Sequence, residues 1–107
     1  MSETVSATLP LRQWRGDRGT YHLVEFTGDE AEALSAHAVM QRLEFGRQRG
    51  FGSLKVTARI GETQWRTSVF PQKGQGESES WVLLINKKVR SAESLGVGEN
   101  VEVALTL

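Results

Sequence analysis

Polar and apolar residues alternate with a period of two over four separate stretches of this chain, which predicts strands with one wet face. The first holds Val5, Ala7, Leu9 and Leu11 against Thr4, Ser6, Thr8 and Pro10. Pro10 has no N–H to donate, so this strand is expected at an edge or to end there. Arg15-Gly-Asp-Arg-Gly19 reads as a turn. Thr20–Phe26, rich in aromatic and β-branched residues, then returns as the second strand of a hairpin.

Thr27-Gly-Asp-Glu30 fits a capping box and predicts a helix start. Ala33, Ala36, Met40 and Leu43 recur at helical spacing and are predicted to form its buried stripe, with Gly46 or Gly50 ending it. Leu54, Val56, Ala58 and Ile60 alternate with Lys55, Thr57 and Arg59 in a third strand. After the Gly61-Glu62 turn, Trp65, Thr67 and Val69 share a face of a fourth, which Pro71 is expected to end. Residues 72–80 hold no apolar side chain and read as a mobile loop. Trp81–Ile85 is a fifth strand, and Asn86 is placed to cap a short helix from Lys87 to about Leu95, closed by Gly96. Val101, Val103, Leu105 and Leu107 alternate with polar or small residues in a sixth.

Residues 4–60 and 63–107 therefore repeat one order of elements: strand, strand, helix, strand. Neither half can bury its own sheet face. The fold expected is mainly β, a small six-stranded barrel closed by two ββαβ halves, with one longer and one short helix. An open sheet carrying both helices on one face is the rival.

Composition narrows the function classes. The 107 residues suit one domain. Thirteen basic residues balance 13 acidic ones, which argues against strong overall attraction to nucleic acid or an anionic membrane. There is no cysteine, hence no disulfide, thiolate metal site or cysteine nucleophile, and a reducing cytoplasm is the expected location. No basic leader or long apolar run is present, so no membrane association is expected.

Arg49-Gly-Phe-Gly-Ser53, Trp65-Arg-Thr-Ser-Val-Phe-Pro71, Lys87-Lys-Val-Arg90 and Leu95-Gly-Val-Gly-Glu-Asn-Val-Glu-Val103 resemble successive blocks of a bacterial family, number 1905 among the domains of unknown function. The resemblance spans nearly the whole chain. It implies a double-split β-barrel, shared with AbrB- and MazE-type regulators and antitoxins, and no established activity. Proline, expected in that family just before each helix, is replaced here by Phe26-Thr-Gly28 and Ile85-Asn86.

Charge supplies the candidate site. From Arg42 to Lys73 seven basic residues face two acidic ones, a local +5. Lys55, Arg59 and Arg66 from this region, with Lys87, Lys88 and Arg90 at the start of the second helix, are candidates for binding an anion or nucleic acid. Cations at a helix start oppose its dipole, which sets Lys87, Lys88 and Arg90 apart. The same residues fit an ordinary solvated face. Arg49–Val56 overlaps an RNA-recognition signature but lacks its aromatic positions beyond Phe51. His22 and His37 have no metal-ligand spacing, and neither Ser53 nor Ser68 lies in a nucleophile elbow. His22 is expected at a rim or surface, and Trp65 and Trp81 in packing. No catalytic residue, metal or cofactor is assigned.

The reading is a non-catalytic binding or interaction module, monomeric because one chain holds both halves. Its partner stays open between nucleic acid and protein. The alternatives are a DNA-binding regulator or antitoxin-like protein using the basic face, and an enzyme acting on a small anion in a barrel-end pocket.

Overall fold

A computed structural model of the chain describes residues 3–45, 53–73 and 79–107. Its strands are β1 (Thr4–Pro10), β2 (Arg12–Gly16), β3 (Gly19–Phe26), β4 (Leu54–Ile60), β5 (Thr63–Lys73), β6 (Glu79–Leu84) and β7 (Asn100–Thr106). Helix α1 (Gly28–Phe45) follows β3, and α2 (Lys87–Ala92) follows β6. One antiparallel sheet runs β1-β7-β4-β5-β6-β3-β2. Its terminal strands, β1 and β2, are separated in sequence by Leu11 alone, so the chain itself bridges the two ends of the sheet and curls it into a barrel-like form.

The six expected strands become seven: the first ends at Pro10, and Arg12–Gly16, whose last two residues were expected in the turn, forms a further strand against β3. Pro10 cannot donate onward, and Leu11 leaves the ladder to bond the turn before β7. Its amide donates to the Glu99 carbonyl (2.9 Å), and its carbonyl accepts from the Gly98 amide (2.8 Å). Counted as one strand, residues 4–16 pair first with β7 and then with β3. The first strand of the second half behaves alike: β5 pairs with β4 up to Val69 and continues beside β6 to Lys73. The two ββαβ halves are thus matched, and each splits its long strand between partners.

The inward positions of the strands close one core. Phe26, Leu54, Val69, Trp81, Leu83 and Leu105 are fully buried, each contributing about 1.5–3 kcal/mol by leaving water. Helix α1 covers this core with Ala31 and Leu34, and the Trp81 indole N–H donates to Ser35 Oγ at 2.9 Å. Val89 anchors α2 in the same cluster.

Four expectations are corrected. Ala36 is exposed and Met40 is 62% exposed, while Ala31 and Leu34 are buried. A helix this rich in alanine has scarcely any intrinsic apolar side; Leu34 and Ala31 pack into the core and the Trp81–Ser35 bond lies on the same face. The Leu43 side chain and Gly46 and Gly50 lie outside the described residues. Pro71 does not end β5; it pairs with Trp81 beyond the last β4 contact, where the strand has one neighbour and a missing N–H is tolerated. The segment 72–80 is not all loop, since Gln72 pairs with Ser80 and Lys73 with Glu79. Helix α2 stops at Ala92, before Leu95, because Ser94 takes a left-handed φ of 52° and does the work expected of Gly96. No helix among the described residues is long and apolar enough to cross a membrane.

Candidate functional site

The basic cluster is built by the start of α2. The Asn86 side chain accepts from the Val89 amide at 2.9 Å, an N-cap that fixes the first turn. With Val89 turned into the core, Lys87 and Arg90 are carried toward β3. There Arg90 Nη1 donates to Nδ1 of half-buried His22 at 2.7 Å. An accepting Nδ1 leaves the imidazole proton on Nε2. The His22 carbonyl accepts from the Ile85 amide at 2.8 Å, holding the end of β6 against β3 beneath the cluster.

Arg66 arrives from β5 and completes a hollow of about 380 Å³ lined by Arg66, Lys87, Arg90, His22, Thr20, Thr67 and Asn86, with Tyr21, Trp65, Leu84 and Ile85 as its apolar walls. Among the described residues no carboxylate lines it. Arg90 Nε is buried and, among the described residues, has no hydrogen-bond partner. A buried donor left unpaired costs about 1–3 kcal/mol; the lining itself is rich in positive charge. His22 titrates below its ordinary 6.5, first because burial of the ring disfavours its charged form and second because Arg90 repels the proton.

Of the six cations singled out from the sequence, Arg66, Lys87 and Arg90 converge here. Arg59 does not: its Nε donates to the Gly61 carbonyl at 3.0 Å, and it lines a separate hollow that also holds Glu102. Lys55 is exposed on the outer face of β4, and Lys88 is exposed on α2 outside the hollow. His22, Tyr21, Trp65, Thr20 and Thr67 were not legible as site residues. His22 and Arg90 are 68 positions apart, and only the pairing of β3 with β6 brings them together.

Other motifs come to little. Residues 49–52 of the RNA-recognition-like stretch lie outside the described residues, and Val56 at its end is buried in the core. Trp81 is core, Trp65 walls the hollow, and Trp14 is exposed, stacked on Tyr21 with ring centroids 5.7 Å apart.

Compared with known families, residues 8–105 match the model of a domain of unknown function, DUF1905. The chain belongs to the DUF1905 family. No curated protein and no solved structure is significantly similar to it. The DUF1905 match takes in every element from the middle of β1 to β7, and so covers the whole of the basic hollow.

Proposed function

We propose that this DUF1905 protein is a non-catalytic binding module whose ligand is anionic and sits in the hollow between β3, β5 and α2. The observation that carries the reading is the convergence of Arg66, Lys87 and Arg90 on one hollow that no carboxylate of the described residues lines. A phosphate or carboxylate oxygen in the hollow balances the charge of these three cations. The test is calorimetric titration with inorganic phosphate and with acetate at low salt. Binding is expected to weaken at least tenfold in the Arg66→Gln, Lys87→Gln double variant and to fall as salt rises. An unchanged affinity in that variant sinks the proposal.

The regulator reading draws on a different observation. Lys55 and Arg59 point outward from β4, and Thr57 between them pairs with Arg66, so the cationic surface extends outward from the hollow. A duplex that shifts in mobility at low salt and is released by Lys87→Glu with Arg90→Glu supports this reading. The split-strand connectivity within one chain favours the double-split barrel and a monomer.

A further inference from the structure

We propose that the anion bound by this chain is amphiphilic: a carboxylate head on a medium-length acyl chain, the head in the basic hollow and the chain along a groove beside it. This rests on the anion reading above and adds the class of ligand.

The groove lies on the outer face of the sheet. Arg12, Trp14, Leu23, Glu25, Phe70 and Val82 line most of it, and it encloses about 540 Å³. It shares a wall with the basic hollow. Tyr21, which lines the hollow, stacks on Trp14, which lines the groove. Leu84, which lines the hollow, pairs across the ladder with Leu23, which lines the groove. From Tyr21 to Glu25 the outer face of β3 advances four residues, roughly 13 Å of strand.

Apolar surface is concentrated here. Of the seven large apolar residues exposed among those described, four are Trp14, Tyr21, Phe70 and Leu84 on this one face. An apolar sheet face open to solvent and rimmed by polar groups marks a binding surface. Charge determines the occupant and its direction. The hollow end carries Arg66, Lys87 and Arg90, with no carboxylate among the described residues. At the far end Glu25 is already engaged, accepting from Ser80 Oγ at 2.9 Å and lying 3.7 Å from Arg12. An anionic head is therefore drawn to one end only, and the apolar strip between is left for its chain.

The experiment is titration of the full chain with acetate, octanoate, decanoate and uncharged decanol, below micelle-forming concentrations. A fully buried methylene is worth about fourfold in affinity; on an open groove about twofold is expected, so decanoate should bind roughly fourfold tighter than octanoate and far tighter than acetate or decanol. Phe70→Ser, at an exposed position outside the hollow, should flatten the chain-length dependence while acetate binding persists. Circular dichroism confirms that the variant is folded. Equal affinity for acetate and decanoate overturns the acyl inference and leaves the anion site standing. Absence of binding by any anion removes both. Binding to anionic phospholipid vesicles with monomeric decanoate inert, or a doubled solution mass that Phe70→Ser abolishes, assigns the face to a membrane or a second copy and overturns the proposal.

Discussion

His22 shows how one residue's chemistry is set by distant neighbours. Its Nδ1 accepts from Arg90, and Arg90 and Lys87 from α2 and Arg66 from β5 all line the hollow with it. Burial and, after it, the Arg90 charge lower its pKa below the ordinary 6.5. The unfolded chain therefore takes up this proton first as pH falls. Stability from His22 is complete above about pH 6.5 and declines as pH drops from there through the lower folded value. Protonation also removes the lone pair that holds Arg90. The ring protons of His22, followed by NMR, are expected to titrate with a midpoint under 6.5, moving up toward it in Arg90→Gln; a midpoint at or above 6.5 contradicts this geometry. The cations Arg66, Lys87 and Arg90 were legible from local charge. Their grouping with His22, and the exclusion of Lys55, Arg59 and Lys88, were not, because charge along a chain says nothing of which strands become neighbours.

Among the elements, strands were read well and helix faces poorly. In β4 and β7 every second residue is buried, and a one-residue slip would expose the whole apolar set, so the alternation leaves one answer. Helix α1 offers alanines on several sides, and its orientation depends on the sheet surface that buries Leu34 and Ala31 and meets Ser35 with Trp81. Helix α2 was legible at its start, because an asparagine N-cap acts within three residues. Its end was not, because Ser94 adopts a conformation that glycine usually takes. Two opposite effects are expected. Asn86→Ala should cost about 1 kcal/mol by orphaning the Val89 amide, and should weaken anion binding as Lys87 and Arg90 lose their fixed placement. Ser94→Gly should stabilise by up to about 1 kcal/mol by relieving the left-handed backbone. Chemical denaturation measures both, and a stabilised Asn86→Ala or a destabilised Ser94→Gly would refute the respective account.

For the molecule as a whole, closure depends on Leu11. It is 1% exposed, and both its backbone groups bond the turn before β7, at the point where the chain passes from one end of the sheet to the other. Leu11→Ala should cost about 3 kcal/mol and loosen β1 and β2 together. Hydrogen exchange is expected to show loss of protection in both segments, with β4 and β5 affected less. Loss confined to β1 would mean that the two ends of the sheet are not held through this residue. Sedimentation of the intact protein is expected to give the mass of one 11.9 kDa chain, since the two ends of the sheet, β1 and β2, are joined within one chain.

By itself the alternation of apolar residues determined the strands, their inward faces and the duplication of ββαβ, because a period of two encodes burial locally. The Asn86 cap and the basic start of α2 were likewise local. Only the tertiary structure decided that residues 4–16 form one strand split between β7 and β3, that α1 turns Met40 to solvent, and that Arg66, Lys87 and Arg90 share a hollow with His22. Each of these depends on contacts between residues distant in sequence, whose energies exist only once the sheet has curled and brought them within reach.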